Sequence, residues 1–210
     1  MMPLLDTLAQ RLQQDLPAQA AHKLMESQAR FRQGLSWKPN DKTRQSAVLI
    51  LLYPHQDSLF FPLTLRHVYK GAHSGQVSLP GGRREEQDRD LVATALRETH
   101  EEIGVVPENV QVIGQLTELF VPASNFMIQP FVGYVAERPT FQPDAHEVAQ
   151  LFETDLQQLT EPFRVKKTLL TVGENIELEA PYFDLHGQIV WGATAMILSE
   201  LKQILLQSSH

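Results

Sequence analysis

The chain contains no cysteine. That excludes disulfide staples, thiolate metal sites and thiol nucleophiles, and it agrees with a cytoplasmic location, which is the expectation here. Long apolar runs are missing too. The longest, residues 47–53, falls far short of the roughly 20 residues a spanning helix needs, so no membrane partner is expected. The opening residues, Met1-Met2-Pro3-Leu4-Leu5-Asp6, lack a basic stretch followed by an apolar core, so no secretory signal is expected. Positive charge is in deficit: 18 Lys and Arg stand against 25 Asp and Glu, a formal net charge of −7. This argues against a nucleic acid partner. A small anionic substrate remains compatible, because a divalent cation and a few local basic groups reverse the field inside a site. Internal repeats and low-complexity segments are also absent.

What is present is enough for one domain with a substantial core: 210 residues, 42% hydrophobic. Leu4, Leu5, Leu8, Leu12 and Leu16 recur at helical spacing, so residues 1–40 read as an N-terminal helical segment packed on a main domain of residues 41–210. That segment would also support a homodimer. Residues 47–53, 59–65, 109–119 and 126–135 read as strands, the last interrupted by Pro130. Residues 148–159 read as a short helix, residues 163–172 and 176–183 as strands, and Ile197, Leu198, Leu201, Ile204 and Leu205 as one face of a closing helix. Strands flanked by helices predict an α/β fold with a mixed sheet between helical layers.

The chemistry concentrates in residues 81–105. A double glycine, Gly81-Gly82, leads into an acidic loop, and the loop leads into Arg97-Glu98-Thr99-His100-Glu101-Glu102-Ile103-Gly104. At roughly 100° per residue, Val92, Ala95, Leu96, Thr99 and Ile103 share one helix face, and Glu98, Glu101 and Glu102 share another. Asp88 is the predicted N-cap and Gly104 the residue just past the C-terminus. Glu98 and Glu102 stand four apart, so their carboxylates point into one site, and their mutual repulsion is relieved by a cation. Arg97 either orients the acidic loop through Glu85, Glu86 or Asp88 or forms a surface pair with Glu101. The competing reading of the whole stretch is a solvated acidic face. The flanking Pro80-Gly81-Gly82 and Gly104 at fixed offsets favour a site that holds Mg²⁺ or Mn²⁺ against a phosphate chain.

These residues resemble the Nudix box, Gly-x5-Glu-x7-Arg-Glu-U-x-Glu-Glu-x-Gly-U, where U is a bulky apolar residue. Arg97-Glu98, Glu101-Glu102, Gly104 and Val105 match. Thr99 departs at the first U position. The early glutamate is displaced, its position falling on Arg89 or Asp88 depending on the direction of counting, because the glycine-to-arginine segment is one residue longer. That longer loop, with Thr94-Ala95-Leu96-Arg97-Glu98, resembles the coenzyme A pyrophosphatase subfamily. So does the upstream series Leu63-Thr64-Leu65-Arg66-His67, His73-Ser74-Gly75-Gln76-Val77 and Leu79-Pro80-Gly81-Gly82, in which His67 replaces a serine and Leu79 a phenylalanine.

The resemblance implies a Nudix-type α/β/α sandwich and metal-dependent hydrolysis of the diphosphate linkage in coenzyme A or acyl-coenzyme A. The products would be a 3′,5′-phosphorylated adenosine and phosphopantetheine. Other expected substrates are nucleoside diphosphate derivatives such as ADP-ribose, an ADP-sugar or a dinucleotide; a third reading is a non-catalytic ligand-binding regulator. Glu98, Glu102, Glu101 and the Gly82 carbonyl are the expected metal ligands. Glu101 or Glu98 is the expected base. Glu147, just before the predicted helix at 148–159, is also a candidate base but reads better as compensation of that helix's N-terminal dipole. Arg66, Lys70, His73 and Arg83 are candidate cations for the substrate's phosphates. Ser124, Asn125 and Phe126, in a loop expected beside the site, are candidate substrate contacts, and Trp191-Gly192-Ala193-Thr194 reads as packing at a strand-to-helix junction.

Overall fold

The computed structural model describes residues 2–27, 38–67, 75–172 and 176–207. Two short helices, α1 (Met2–Arg11) and α2 (Ala18–Lys23), precede the strands β1 (Arg44–His55), β2 (Ser58–Arg66), β3 (Val77–Ser78) and β4 (Gly81–Arg83). Helix α3 (Leu91–Ile103) carries the acidic motif. After it come β5 (Gln111–Gln115), β6 (Leu119–Val121), β7 (Phe126–Tyr134) and β8 (Val148–Asp155). The chain closes with β9 (Val165–Val172), β10 (Ile176–Leu185), β11 (Gln188–Val190) and α4 (Gly192–Gln207).

Eight strands form one mixed sheet in the order β3-β2-β1-β7-β5, with β4 on β1, β6 on β7 and β8 on β2. The β1–β7 pair is parallel, Arg44 opposite Phe126 through Leu52 opposite Tyr134, and the sheet's other pairings are antiparallel. β1 is the spine and is buried on both faces, which is why it reads as a continuous apolar run. Ala47, Leu49, Leu51 and Tyr53 pack with Ala95 and Ile103 of α3. Ile50 and Leu52 belong to the opposite cluster with Leu198, Leu201 and Leu205 of α4. The sheet therefore lies between α3 and α4, the layered α/β architecture the pattern predicts. β9, β10 and β11 make a second, three-stranded antiparallel sheet.

The N-terminal helices are fastened to α4 by a buried polar hub. Glu200 is fully buried and accepts from the Ala18 N–H (3.0 Å), His22 Nε2 (3.0 Å), the Thr117 N–H (3.1 Å) and Thr117 Oγ1 (2.6 Å). Against the opposing effect of burial, the bonds from His22 and Thr117 and the His22 charge hold its carboxyl below the usual range. Ser199 Oγ donates to the Ala21 carbonyl at 2.8 Å. Among the described residues no helix is long and apolar enough to cross a membrane.

Three local expectations are corrected. Residues 148–159 are not a helix: β8 runs from Val148 to Asp155 along the open edge of β2, and only Leu156–Thr160 turn, as a 3-10 helix. Val148, Phe152 and Leu156 stand four apart, a spacing that fits a helix face and alternate strand positions equally, and the ladder to β2 decides for the strand, with Ala149 the extra residue of a bulge opposite Leu65 and Arg66. Residues 109–119 split into β5 and β6. Between them Leu116 is held by its N–H on the Pro130 carbonyl (2.9 Å) and its carbonyl on Gln129 Nε2 (2.8 Å). Pro130 does not interrupt β7, where it stands opposite Val48.

Candidate functional site

The glycine turn is fixed by how closely two backbones approach. Gly81 pairs with Val48 and Gly82 with Ala47. Gly81 has φ +148, and a Cβ there would lie 2.3 Å from the Ala47 carbonyl oxygen and 2.6 Å from Val48 Cα, both unyielding backbone atoms. At Gly82 the space a Cβ would take is filled by the Glu98 carboxylate, with Oε2 at 2.3 Å from that position. The missing side chain is thus what lets an acidic group reach the turn.

Helix α3 delivers that group. Its N-cap is Asp90, whose Oδ1 accepts from the Ala93 N–H at 2.7 Å, and Gly104 closes it in the left-handed conformation (φ +75) with its N–H on the His100 carbonyl. The predicted cap, Asp88, is corrected. It is buried in the acidic loop, where Oδ2 accepts from the Glu85 N–H and Thr94 Oγ1 (both 2.9 Å) and the two oxygens receive Arg97 Nε and Nη2 (both 2.9 Å). A fork-on-fork pair of this kind is strong and directional. The Arg97 bonds, opposed by burial and helped by the Glu85 N–H, hold the Asp88 carboxyl well below the usual carboxylate range. Of the three carboxylates proposed for Arg97, Asp88 is the one it meets. The alternative pair with Glu101 forms as well (2.8 Å), as do contacts with Glu98 (3.0 Å) and the Arg83 carbonyl (3.0 Å). Glu85 instead receives the Gln87 amide.

The three glutamates of the motif occupy different environments. Glu102 is 1% exposed; Oε2 accepts from the Gly81 N–H at 3.1 Å and Oε1 from Arg66 Nη2 at 2.9 Å. Burial pushes its carboxyl up to about 7, opposed by the Arg66 charge and the Gly81 N–H and reinforced by Glu147 and Glu98. Glu98 is half-buried, and burial raises it too, opposed by Arg97 and reinforced by Glu101 and Glu147. Glu101 is exposed and paired with Arg97. Glu98 and Glu102 converge on the glycine turn from two sides. Among the described residues no three acidic or histidine side chains are closed around one point.

The donor set nevertheless fits a divalent cation. It consists of oxygen alone, as Mg²⁺ prefers, two of its carboxylates are destabilised by burial and by neighbouring carboxylates, which a cation would relieve, and Gly82 leaves its backbone open to close approach. Glu98, Glu102 and the Gly82 carbonyl would hold it.

The reading of Glu147 as a helix-dipole partner is corrected, since a strand comes after it rather than a helix. Its charge is felt at both Glu98 and Glu102. Its loop is pinned there: the Asp144 N–H bonds the Glu102 carbonyl (3.0 Å), the Gln142 N–H bonds the Ile103 carbonyl (2.9 Å), Asp144 Oδ1 accepts from the His146 N–H (2.7 Å) and His67 Nε2 meets the Ala145 carbonyl (3.0 Å). The usable signal in the sequence was a second acidic cluster, Asp144 to Glu147, outside the motif.

The remaining candidates are dispersed. Arg66, at the end of β2, bonds Glu102. The Arg83 side chain is exposed at the end of β4. Lys70 and His73 lie outside the described residues. Ser124 and Asn125 are not brought to the carboxylates. The Asn125 amide is committed to the Lys42 carbonyl (3.1 Å) and Thr43 Oγ1 (2.9 Å), the Ser124 carbonyl accepts from Arg44 Nη2 (2.8 Å), and Phe126 lies 4.0 Å under the Arg44 guanidinium. Arg44 precedes Ala47, the partner of Gly82, by three positions, roughly 10 Å at ~3.3 Å per residue. Thr194 Oγ1 donates to the Val77 carbonyl at 3.3 Å, so the start of α4 is tied to β3. An open cleft of about 750 Å³ lined by Leu12, Leu16, Val112, Gln129 and Phe131 contains none of the motif's glutamates; converging ionisable groups locate the site better than volume does.

Comparison with known proteins agrees with this geometry. A sequence profile of the NUDIX domain matches residues 43–172. Proteins described as uncharacterized Nudix hydrolase NudL are similar over most of the chain. The one from Pectobacterium atrosepticum is 38% identical over 168 residues, covering 79% of this chain and 85% of the relative, and that from Photorhabdus laumondii is 33% identical, covering 78% and 86%. Among solved structures, the Nudix hydrolase RenU from M. smegmatis superposes with a TM-score of 0.56 at 18% identity, covering 79% of this chain and 87% of that one. A MutT/nudix family protein from Enterococcus faecalis gives 0.52 at 16%, covering 83% and 70%. With a profile spanning more than half of its length and the acidic helix folded against the glycine turn, the chain belongs to the Nudix family of hydrolases, which act on phosphorus-containing anhydrides and generally use divalent metal ions.

Proposed function

We propose that this hydrolase cleaves the diphosphate linkage of coenzyme A or an acyl-coenzyme A, using Mg²⁺ or Mn²⁺. The observation that carries the substrate assignment is the series Leu63-Thr64-Leu65-Arg66, His73-Ser74-Gly75 and Leu79-Pro80-Gly81-Gly82 joined to the lengthened acidic loop. Arg66 is seated on Glu102 and Gly81 rather than on a remote surface.

When bound, the cation supplies charge neutralisation and Lewis acidity at the phosphate oxygens. The protein supplies the rest. Glu98 and Glu102 would hold the cation against the turn, and Arg97 keeps the loop in place through Asp88 and meets Glu98 directly. Water attacks one phosphorus, the bridging P–O bond breaks, and a carboxylate takes the water's proton. Glu147 is the first choice for that base: its charge acts on both Glu98 and Glu102 and it has no ion pair with Arg97, whereas Glu101 is paired and Glu98 would serve as a ligand. Arg66, Lys70, His73 and Arg83 are the candidate cations for the phosphates. The products are a 3′,5′-phosphorylated adenosine and phosphopantetheine.

The test is a substrate panel with products identified by mass. A charge-assisted contact with the 3′-phosphate is worth roughly 1.5–3 kcal/mol, so kcat/KM for coenzyme A should exceed that for dephospho-coenzyme A and ADP-ribose by about 10–100-fold. A higher kcat/KM for ADP-ribose would overturn the coenzyme A assignment and leave the family assignment standing. Turnover that survives excess chelator would overturn the metal assignment. Glu147→Gln should lower kcat by roughly 100-fold or more with little change in KM, and a normal kcat would move the base elsewhere.

A further inference from the structure

Arg66 and a bound cation have a claim on the same oxygen. Glu102 is buried to 1% exposure, and each of its oxygens already has a donor, Oε1 from Arg66 at 2.9 Å and Oε2 from the Gly81 N–H at 3.1 Å. The Gly81 N–H belongs to a backbone that cannot move, because β4 is locked against β1. Arg66 is the mobile partner. It ends β2, its side chain is 28% exposed, and only Nη2 is engaged, with a longer 3.5 Å contact to the Gly81 carbonyl. Nε and Nη1 have no protein partner among the described residues. A divalent ion ligated about 2.1 Å from Oε1 would stand within about 5 Å of the Nη2 nitrogen, two positive charges sharing one carboxylate oxygen in a poorly solvated place.

We infer that Arg66 is a transferable counter-charge, neutralising Glu102 while no cation is bound and passing to a phosphate of the substrate once Glu102 takes a cation. This rests on the reading of Glu102 as a metal ligand. The guanidinium has the geometry for the exchange: once Nη2 leaves Glu102, it makes a bidentate fork for a phosphate with Nε or with Nη1, neither of which has a partner among the described residues. The consequence is positive coupling. Cation binding releases the group that grips the anionic substrate, and anion binding removes the group that competes with the cation, by the same factor in each direction. A fixed structural ion pair predicts the opposite behaviour, since its loss would misplace Glu102 and weaken the cation.

The experiment is Mn²⁺ titration of the full chain without substrate, followed by electron paramagnetic resonance of free Mn²⁺, on the wild type, Arg66→Gln, Arg66→Lys and Glu102→Gln. Arg66→Gln should bind Mn²⁺ at least about fivefold more tightly than the wild type, the lower end of ordinary coupling, and Arg66→Lys, which keeps the competing charge, should stay near the wild type. Unchanged or weaker binding in Arg66→Gln would overturn the inference. Because Arg66→Gln leaves a buried carboxylate uncompensated and can fail to fold, the wild type gives a second readout. The Arg66 Nε–H resonance of ¹⁵N-arginine-labelled protein, assigned with Arg66→Lys, should shift when diamagnetic Mg²⁺ is added; a resonance unmoved at saturating Mg²⁺ would equally overturn it. Glu102→Gln separates the two levels. If that variant binds Mn²⁺ like the wild type, the ligand assignment itself is wrong. If it loses binding while Arg66→Gln gains none, only the transfer is wrong.

Discussion

Asp88 stands outside the reacting groups, yet the acidic loop and Arg97 hang on it, so Asp88→Asn tests the reasoning about the site's scaffold. Asparagine keeps one carbonyl oxygen, enough for the Glu85 N–H and Thr94 Oγ1 at the Oδ2 position. Its amide nitrogen then faces Arg97 Nε, donor against donor. Removing one partner of a buried charge pair costs roughly 3–5 kcal/mol. Arg97 is 19% exposed and retains Glu101 and Glu98, which places the loss at the lower end, about 3 kcal/mol. Urea unfolding should show a lower midpoint with an unchanged slope, and Tm should fall by about 6–12 °C for a chain of this size. The pH dependence has a fixed sign. The folded Asp88 carboxyl lies below its unfolded value, so its contribution is complete above about pH 4 and fades as the pH falls from there toward the depressed folded value. The gap between wild type and Asp88→Asn should therefore be wider at pH 7 than at pH 3. A gap below about 1 kcal/mol at pH 7, or one that widens in acid, would refute the account of Asp88 as a buried, charged anchor.

Two further outcomes are expected. Gly82→Ala should fold and bind Mn²⁺ weakly, because its Cβ displaces only the movable end of Glu98, while Gly81→Ala should be destabilised by at least about 2 kcal/mol, because its Cβ meets the Ala47 and Val48 backbone at a positive φ; equal urea midpoints for the two would refute this. Glu102 titrates near 7 in the folded metal-free chain against about 4.3 unfolded, so the folded state binds the extra proton and loses stability as the pH rises between those values. The Tm of metal-free Glu102→Gln relative to the wild type should rise from pH 4.5 to pH 7.5, and a flat difference would mean that Glu102 is ionised throughout.

Where one periodicity dominated, the sequence was enough. β1 is apolar on both faces because α3 and α4 cover both, and α3 shows its stripe together with the Gly104 stop. Asp88 and Asp90 both precede the helix, and the sequence alone does not say which one caps it. The choice turned on Arg97, nine residues on, drawing Asp88 inward. β8 reads as a helix because its apolar residues Val148 and Phe152 stand four apart, a spacing that helix and strand share, and only the ladder to β2, with Ala149 as the extra residue of a bulge, decides between them. The same ambiguity hid Glu147, whose meaning depends on whether a helix or a strand begins at Val148. Arg66 was legible as a cation near the glycines but not as the partner of Glu102, since that contact depends on β2 and α3 meeting across the turn.

The Glu200 hub has a bearing on where the protein can be cut. The NUDIX profile begins at residue 43 and ends at 172, yet the carboxylate that receives Thr117 from inside that span sits at 200, and its other partners sit at 18 and 22. A fragment trimmed to the recognised span would bare the sheet face that carries Ile50, Leu52 and Val132 and leave the Thr117 N–H without its acceptor. The span that the profile matches is therefore smaller than the unit that these contacts hold together. Helices α2 and α4 thus act as a clasp: proteolytic loss of either should loosen the other and expose the Leu116–Thr117 connection between β5 and β6, well before any catalytic group is touched.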